Sequence, residues 1–250
     1  MNDSNPIPPS LPPLLNPSAL SAAPSGHRML GDDPHDRETI RGPIAAVESI
    51  LRHPRRVLYQ LRQPGAGYLI VALLFIAVVC SLVYGVVMGT FSGDTQLWAA
   101  PAKIASGLVI SALICLPSLY IFSCLSGVQA RLIEVFGMIA GLLALMTVLL
   151  VGFAPVAWVF SQSTESLVAM GALHLVFWFV ATYFGVRFLS AGFAHFSGNP
   201  AGLRLWVVIF LLVMLQMSTA LRPIVGKADT FLPHEKKFFL KHWFEHLDNA

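Results

Sequence analysis

Charge is what this sequence has least of. Asp, Glu, Lys and Arg make up 12% of its 250 residues, about half the share of an ordinary soluble domain. Hydrophobic residues supply 56%, and the mean hydropathy is +0.70. That balance excludes a soluble globular chain and points to a membrane protein. Cysteine is also scarce. Cys80, Cys115 and Cys124 all lie in apolar runs, and an odd, buried set is no disulfide framework. Cys115 and Cys124 are nine residues apart. At about 100° per residue they fall on opposite faces of one helix and cannot share a metal.

Catalytic signatures are missing as well. There is no nucleophile elbow, no glycine loop to cradle phosphate and no HExxH. The chain is read as a non-enzyme that needs no cofactor, no metal and no nucleic acid. In the tail, His242 and His246 are one turn apart with His234 and Glu245 nearby, which reads as a solvated face. The opening "MNDSNPIPP" has no basic stretch followed by an apolar one, so it is not read as a secretory signal.

What is present divides the chain. Residues 1 to 43 hold more than half of the 17 prolines. They offer too little apolar surface to offset the entropy of ordering, so a disordered Pro-rich tail is expected. Residues 44 to 62, "IAAVESILRHPRRVLYQLR", place Ile44, Val47, Ile50, Leu51, Val57, Leu58 and Leu61 on one helical face. Arg52, Arg55, Arg56 and Arg62 border or oppose it. A basic amphipathic helix ahead of a span is expected to lie in the interface against anionic lipid. Pro54 kinks it or starts a second helix.

Five apolar runs follow between residues 68 and 221. They cover residues 68–91, 104–125, 134–160, 167–189 and 203–221. Each reaches the roughly 20 residues that cross a hydrocarbon core, the last only just. The fold class expected is all-α, a bundle of five transmembrane helices with amphipathic interfacial helices at both ends. The second of these covers residues 233 to 248, where Phe239, Leu240, Trp243, Phe244 and Leu247 share a face.

Basic residues orient the bundle. Arg28, Arg37, Arg41, Arg52, Arg55, Arg56 and Arg62 precede the first run, and Arg131, Arg187 and Arg204 fall on the same side. Lys103 stands alone in the first outer loop. The N-terminus is therefore placed in the cytoplasm. The basic tail, with Lys236, Lys237 and Lys241, opposes this, because five spans put it outside. Trp98 and Trp158 then mark the outer interface and Trp206 the inner one.

Small residues recur every four positions: Ala77, Ser81, Gly85 and Gly89 in the first run, and Gly107, Ser111 and Cys115 in the second. Gly137 and Gly141 form a second GxxxG, in the third run. Such ridges let helix backbones approach closely. Packing within the chain is the expectation, with a second copy as the alternative. Pro117 interrupts the second run. It shapes a packed helix or, as the sharper reading, makes a hinge or substrate gap. Polar residues at membrane depth are functional candidates. His174 and Gln216 fall at similar depth and are expected to pair. Arg222, just before Pro223, is read as an anchor or as a contact for a lipid phosphate or a loop carboxylate, of which Asp94 and Glu165 are the candidates.

The stretches "ESILRHPRRVLYQLRQPGAGYLIVALLFIAVVCSLVYGVVMG" and "PAKIASGLVISALICLPSLYIFSCLSG" resemble bacterial members of the Yip (Ypt-interacting protein) family. The likeness covers residues 45 to 127 and the number of spans, including the proline of the second. It implies a short Pro-Arg lead and a five-span bundle in a bacterial inner membrane. The cytosolic "DLYGP" element of eukaryotic members is absent, so no activity and no site residue is carried over. The sequence leads to a membrane scaffold or accessory subunit, with membrane-protein partners or a second copy of itself. A small-molecule or ion transporter using the Pro117 kink is the alternative.

Overall fold

The computed structural model describes residues 30–92, 96–125, 127, 131–163, 167–194 and 200–220. The C-terminal helix expected over 233 to 248 lies outside them, as do Arg222, Asp94 and Glu165. Most of the described residues are helical, with no strand among them. Three short helices, α1 (Pro34–Arg37), α2 (Pro43–Arg52) and α3 (Pro54–Leu61), lead into five longer ones. These are α4 (Gly67–Ser92), α5 (Gln96–Leu125), α6 (Leu132–Ser163), α7 (Leu167–Ala194) and α8 (Pro200–Ala220). Helices α4 to α7 are long and apolar enough to cross a membrane, and α8 carries a shorter apolar stretch from Gly202 to Met217.

Prolines set the early boundaries. Pro34, Pro43 and Pro54 each stand at the start of a helix, where the missing N–H has no intrahelical partner to lose. Pro54 thus divides the amphipathic stretch into two helices rather than kinking one. The described part of the stretch expected to be disordered, residues 30–43, is ordered: α1 lies within it, Asp33 caps α1 through a 3.0 Å bond to the His35 N–H, and Ile40 is buried.

The bundle is built around α6. Its most apolar stretch is 72% buried, against 33–39% in the other three long helices. Gly137 meets Leu61 of α3 and Ile70 of α4, whereas Gly141 meets the Phe188 ring of α7. Those contacts fix α6 parallel to α4 and antiparallel to α7. The two small residues of "GMIAG" therefore serve different neighbours.

The α4 ridge turns to α5. Ala77, Ser81, Gly85 and Gly89 are all buried, and a Cβ on Gly85 would run into the Pro101 backbone. Gly107 and Ser111 of the second run are buried too. Contact with Pro101 shows why α5 starts at Gln96 and not near Ile104. The ring of Pro101 packs on Gly85 early in the helix, and α5 takes in a segment that reads as loop. Helix α8 closes on α5 through Trp206. Its indole Nε1 donates to the Cys115 carbonyl at 2.9 Å, and its ring stacks on Phe210 with centroids 5.1 Å apart. Trp206 is fully buried, so the inner-interface position expected of it is corrected. Trp98 and Trp158 are exposed, at the other end of the bundle.

The face of α2 and α3 expected to rest on lipid packs instead on protein. Ile50, Val57, Leu58 and Leu61 join the main core, while Ile44 and Leu51 stay exposed. The reason is geometric. The break at His53 turns α3 back over the ends of α4, α6 and α7, where Gly137 and Gly192 make room for Leu61 and Leu58.

Candidate polar site in the bundle

Three buried polar side chains meet one level of the bundle. Tyr84 of α4 is fully buried, Lys103 of α5 is 1% exposed and His174 of α7 is 5% exposed. Each is seven or eight residues from the helix end it shares with the others, about 10–12 Å along the axis. Pro101 against Gly85 sets Lys103 at the depth of Tyr84.

The Tyr84 hydroxyl is 2.5 Å from His174 Nδ1. The two rings meet edge to face with centroids 5.6 Å apart. Helices α4 and α7 are themselves not neighbours: among the described residues, no Cα of one comes within 8 Å of a Cα of the other. The side chains bridge across α6. The register set by Gly137 and Gly141 brings Ala154 and Ala157 of α6 to this level, and both are buried. The site's remaining wall is aromatic. Phe177 stands edge-on to His174 at 6.2 Å and stacks on Phe153 at 4.8 Å.

His174 Nε2 is buried and has no hydrogen-bond partner. A neutral imidazole has one donor and one acceptor nitrogen. If Tyr84 donates to Nδ1, the Nε2–H is left without an acceptor. In the other tautomer Nδ1 donates to the phenol oxygen, and both the Nε2 lone pair and the phenolic O–H go unused. Either way the pair retains unused hydrogen-bonding capacity in apolar surroundings, where it is costly.

The residues singled out from sequence fare differently. His174 is a buried polar centre, but its partner is Tyr84. Gln216 is exposed, so the expected His174–Gln216 pair is not formed. Lys103, read as an outer-loop cation, is inside α5. Pro117 lies within α5 on an exposed face, so it does not line a gap between helices. Ser118 Oγ donates to the Cys115 carbonyl at 2.8 Å and Ser111 Oγ to the Gly107 carbonyl at 2.7 Å. The Cys115 carbonyl, two residues before Pro117, thus accepts from both Ser118 and Trp206. Polar satisfaction next to the proline comes from the helix's own serine and from α8.

The arginines read as lipid contacts are engaged with protein. Arg52 pairs with Glu48 at 3.5 Å, Arg55 with Asp36 at 3.7 Å and Arg56 with Glu38 at 3.3 Å. Arg62 is exposed beside a small recess lined by Leu58, Leu61, Glu134 and Met138.

Sequence reasoning missed Tyr84 because a tyrosine in "LVYGVV" passes for one more hydrophobe. The available signal was its hydroxyl, which needs a partner when buried. Lys103 was missed because Pro101 reads as a helix breaker. Among the described residues, no group of three His, Cys, Asp or Glu side chains is placed to hold a metal. The chain matches no family model, no curated protein and no solved structure.

Proposed function

We propose that this protein is a non-catalytic scaffold or accessory subunit of a membrane-protein complex. In this reading α8 is a fifth span and the N-terminal helices sit at the cytoplasmic face of a bacterial inner membrane. The observation that carries it is the contrast between α6 and its neighbours. The bundle encloses α6, while α4, α5 and α7 turn broad apolar faces outward, with Val71, Phe75 and Val83 exposed on α4 and Val176 and Phe179 on α7. Such faces suit lipid and other membrane helices, where association proceeds by close packing. The resemblance to bacterial Yip proteins belongs to the same proposal and rests on residues 45 to 127 and the span count.

The test is photo-crosslinking from single positions on each outward face in native membranes. Positions 71, 75 and 83 on α4 and 176 and 179 on α7 are suitable. A scaffold gives protein adducts concentrated on one face. The proposal fails if no face yields an adduct and the purified protein is monomeric.

A second reading has its own observation. The unpartnered Nε2 of His174, beside Tyr84 and at the depth of Lys103, is a polar centre of the kind found on ion or solute routes. It moves the transporter alternative from Pro117 to this pair. Flux of protons or small solutes into proteoliposomes, lost in His174→Phe with the fold intact, would favour it over the scaffold.

A further inference from the structure

The side-chain bonds that fasten the segment from Gly31 to Ile40 come from α3. Among the described residues, α1 packs on α3 and on no other helix. The fastening is polar, and most of it runs from α3 side chains to the segment's backbone. Arg56 Nε donates to the Glu38 carbonyl at 2.9 Å and Nη2 to the Thr39 carbonyl at 3.3 Å, while Nη1 meets the Glu38 carboxylate at 3.3 Å. Gln60 Nε2 donates to the Glu38 carbonyl, and Gln60 Oε1 accepts from the Ile40 N–H at 3.0 Å. Arg55 faces the buried Asp36 carboxylate, which also accepts from the Gly31 N–H at 3.3 Å. Within the segment, Arg37 Nε donates to the Gly31 carbonyl at 2.7 Å. Gly31, at φ +94°, lies flat on the Tyr59 ring, where a side chain would collide.

Ile40 is the segment's one large apolar side chain. Half-buried Leu30 anchors the end ahead of it, and a strip held between two apolar side chains mainly by polar bonds belongs to the less stable part of a fold. The surface under it has a definite chemistry. Two guanidinium forks on adjacent residues of α3 meet carboxylates and carbonyls, and the same forks match phosphate oxygens.

We propose that residues 31–40 form a strap over a site for anionic lipid headgroups on α3, with Asp36 and Glu38 standing where lipid phosphates would sit. An anionic bilayer surface displaces the strap and takes over Arg55 and Arg56. This deepens, and rests on, the reading that the N-terminal end of the bundle meets an anionic leaflet. The two ion pairs and the lipid attraction are of similar size, and the bonds from Arg56 and Gln60 hold the strap closed until the anionic surface is present. A partly exposed ion pair changes an equilibrium by about two- to fivefold, and an anionic surface attracts each nearby arginine by about fivefold. The half-exposed Arg55 and the more covered Arg56 also account for an amphipathic, arginine-rich stretch whose apolar face is spent on the bundle.

The test is hydrogen exchange of the full-length protein in nanodiscs, read on peptides covering residues 31–40. One set contains phosphatidylcholine alone and the other contains phosphatidylglycerol as well. With both arginines taken over, exchange at the Ile40 amide should rise by about tenfold or more in the anionic discs, and high salt should reverse it. Glu38→Gln together with Asp36→Asn should loosen the strap in both lipids, raising exchange by about two- to fivefold for each ion pair removed. Arg56→Ala should also open it in both and reduce the anionic lipid that co-purifies. Equal protection in the two lipids would overturn the proposal and make the strap a permanent part of the fold. Release by excess inorganic phosphate in neutral discs would overturn the assignment to a lipid surface. Nanodiscs offer both faces of the bundle to the same lipid. A wrong orientation would therefore leave this result unchanged and show itself only in topology labelling.

Discussion

Tyr84 and His174 touch through the interior of the bundle although the backbones of the helices that carry them stay apart. The hydroxyl and Nδ1 are 2.5 Å apart. This pair ties the α4 side of the bundle to the α7 side at one depth, at the cost of an imidazole nitrogen left without a partner. The asymmetry between breaking such a pair and removing it gives the first prediction.

Tyr84→Phe should destabilise the protein by about 1 kcal/mol, because both imidazole nitrogens are then unsatisfied. His174→Phe removes the orphan group, so the double variant Tyr84→Phe/His174→Phe should be closer to wild type than Tyr84→Phe alone. Thermal unfolding in one detergent measures all three. A double variant that loses the sum of the two single effects would show that the residues are not coupled.

Glycine positions should separate sharply. A Cβ at Gly85 would lie 2.9 Å from the Pro101 backbone nitrogen, which cannot step aside. Gly85→Ala should cost about 2 kcal/mol or more, as overpacking does, and Gly85→Leu should prevent folding. Gly152 has open space around it, so Gly152→Ala should stabilise its helix by about 0.5–1 kcal/mol. Melting temperatures of the two alanine variants should move in opposite directions.

Pro117→Ala should be neutral or stabilising. The proline faces outward within a continuous helix, and alanine restores a donor for the Leu113 carbonyl. Unfolding and size-exclusion profiles should match the parent. A protein that folds and assembles normally yet loses its cellular role would return Pro117 to the status of a functional hinge.

Trp206→Phe keeps the ring stack with Phe210 but removes the donor to the Cys115 carbonyl. The expected loss is about 1 kcal/mol, concentrated in the docking of α8. Hydrogen exchange should quicken in α8 and leave α6 unchanged. An equal change in both helices would mean that α8 and the bundle unfold as one unit.

Orientation is tested by labelling. Thr95→Cys and Ser163→Cys, each in a chain cleared of its three free cysteines, should react with an impermeant reagent from outside the cell. Reaction from the cytoplasmic face alone would reverse the topology drawn from the arginines.

Much was legible in the sequence because its causes are local. Apolar runs long enough to cross a membrane mark helices α4 to α7, since run length and composition act residue by residue. The small-residue ridge of α4 follows likewise from residue type, whereas Pro54 left a kink and a helix start equally open until the structure showed the start. What only the tertiary structure decided is which surfaces meet. Periodicity shows that Leu58 and Leu61 share a face, but lipid and protein are equally apolar covers for it, and the backward turn at His53 chose protein. The arginines show the same indifference. Their charge is plain in the sequence, but the carboxylates they face on Asp36 and Glu38 lie 18 or 19 residues away along the chain. His174 reads as a polar residue at depth from its position alone. Its partner Tyr84 is 90 residues distant on a helix whose backbone does not neighbour its own. Helix order and register, set by glycines against bulky neighbours, bring the two together. No local pattern encodes that.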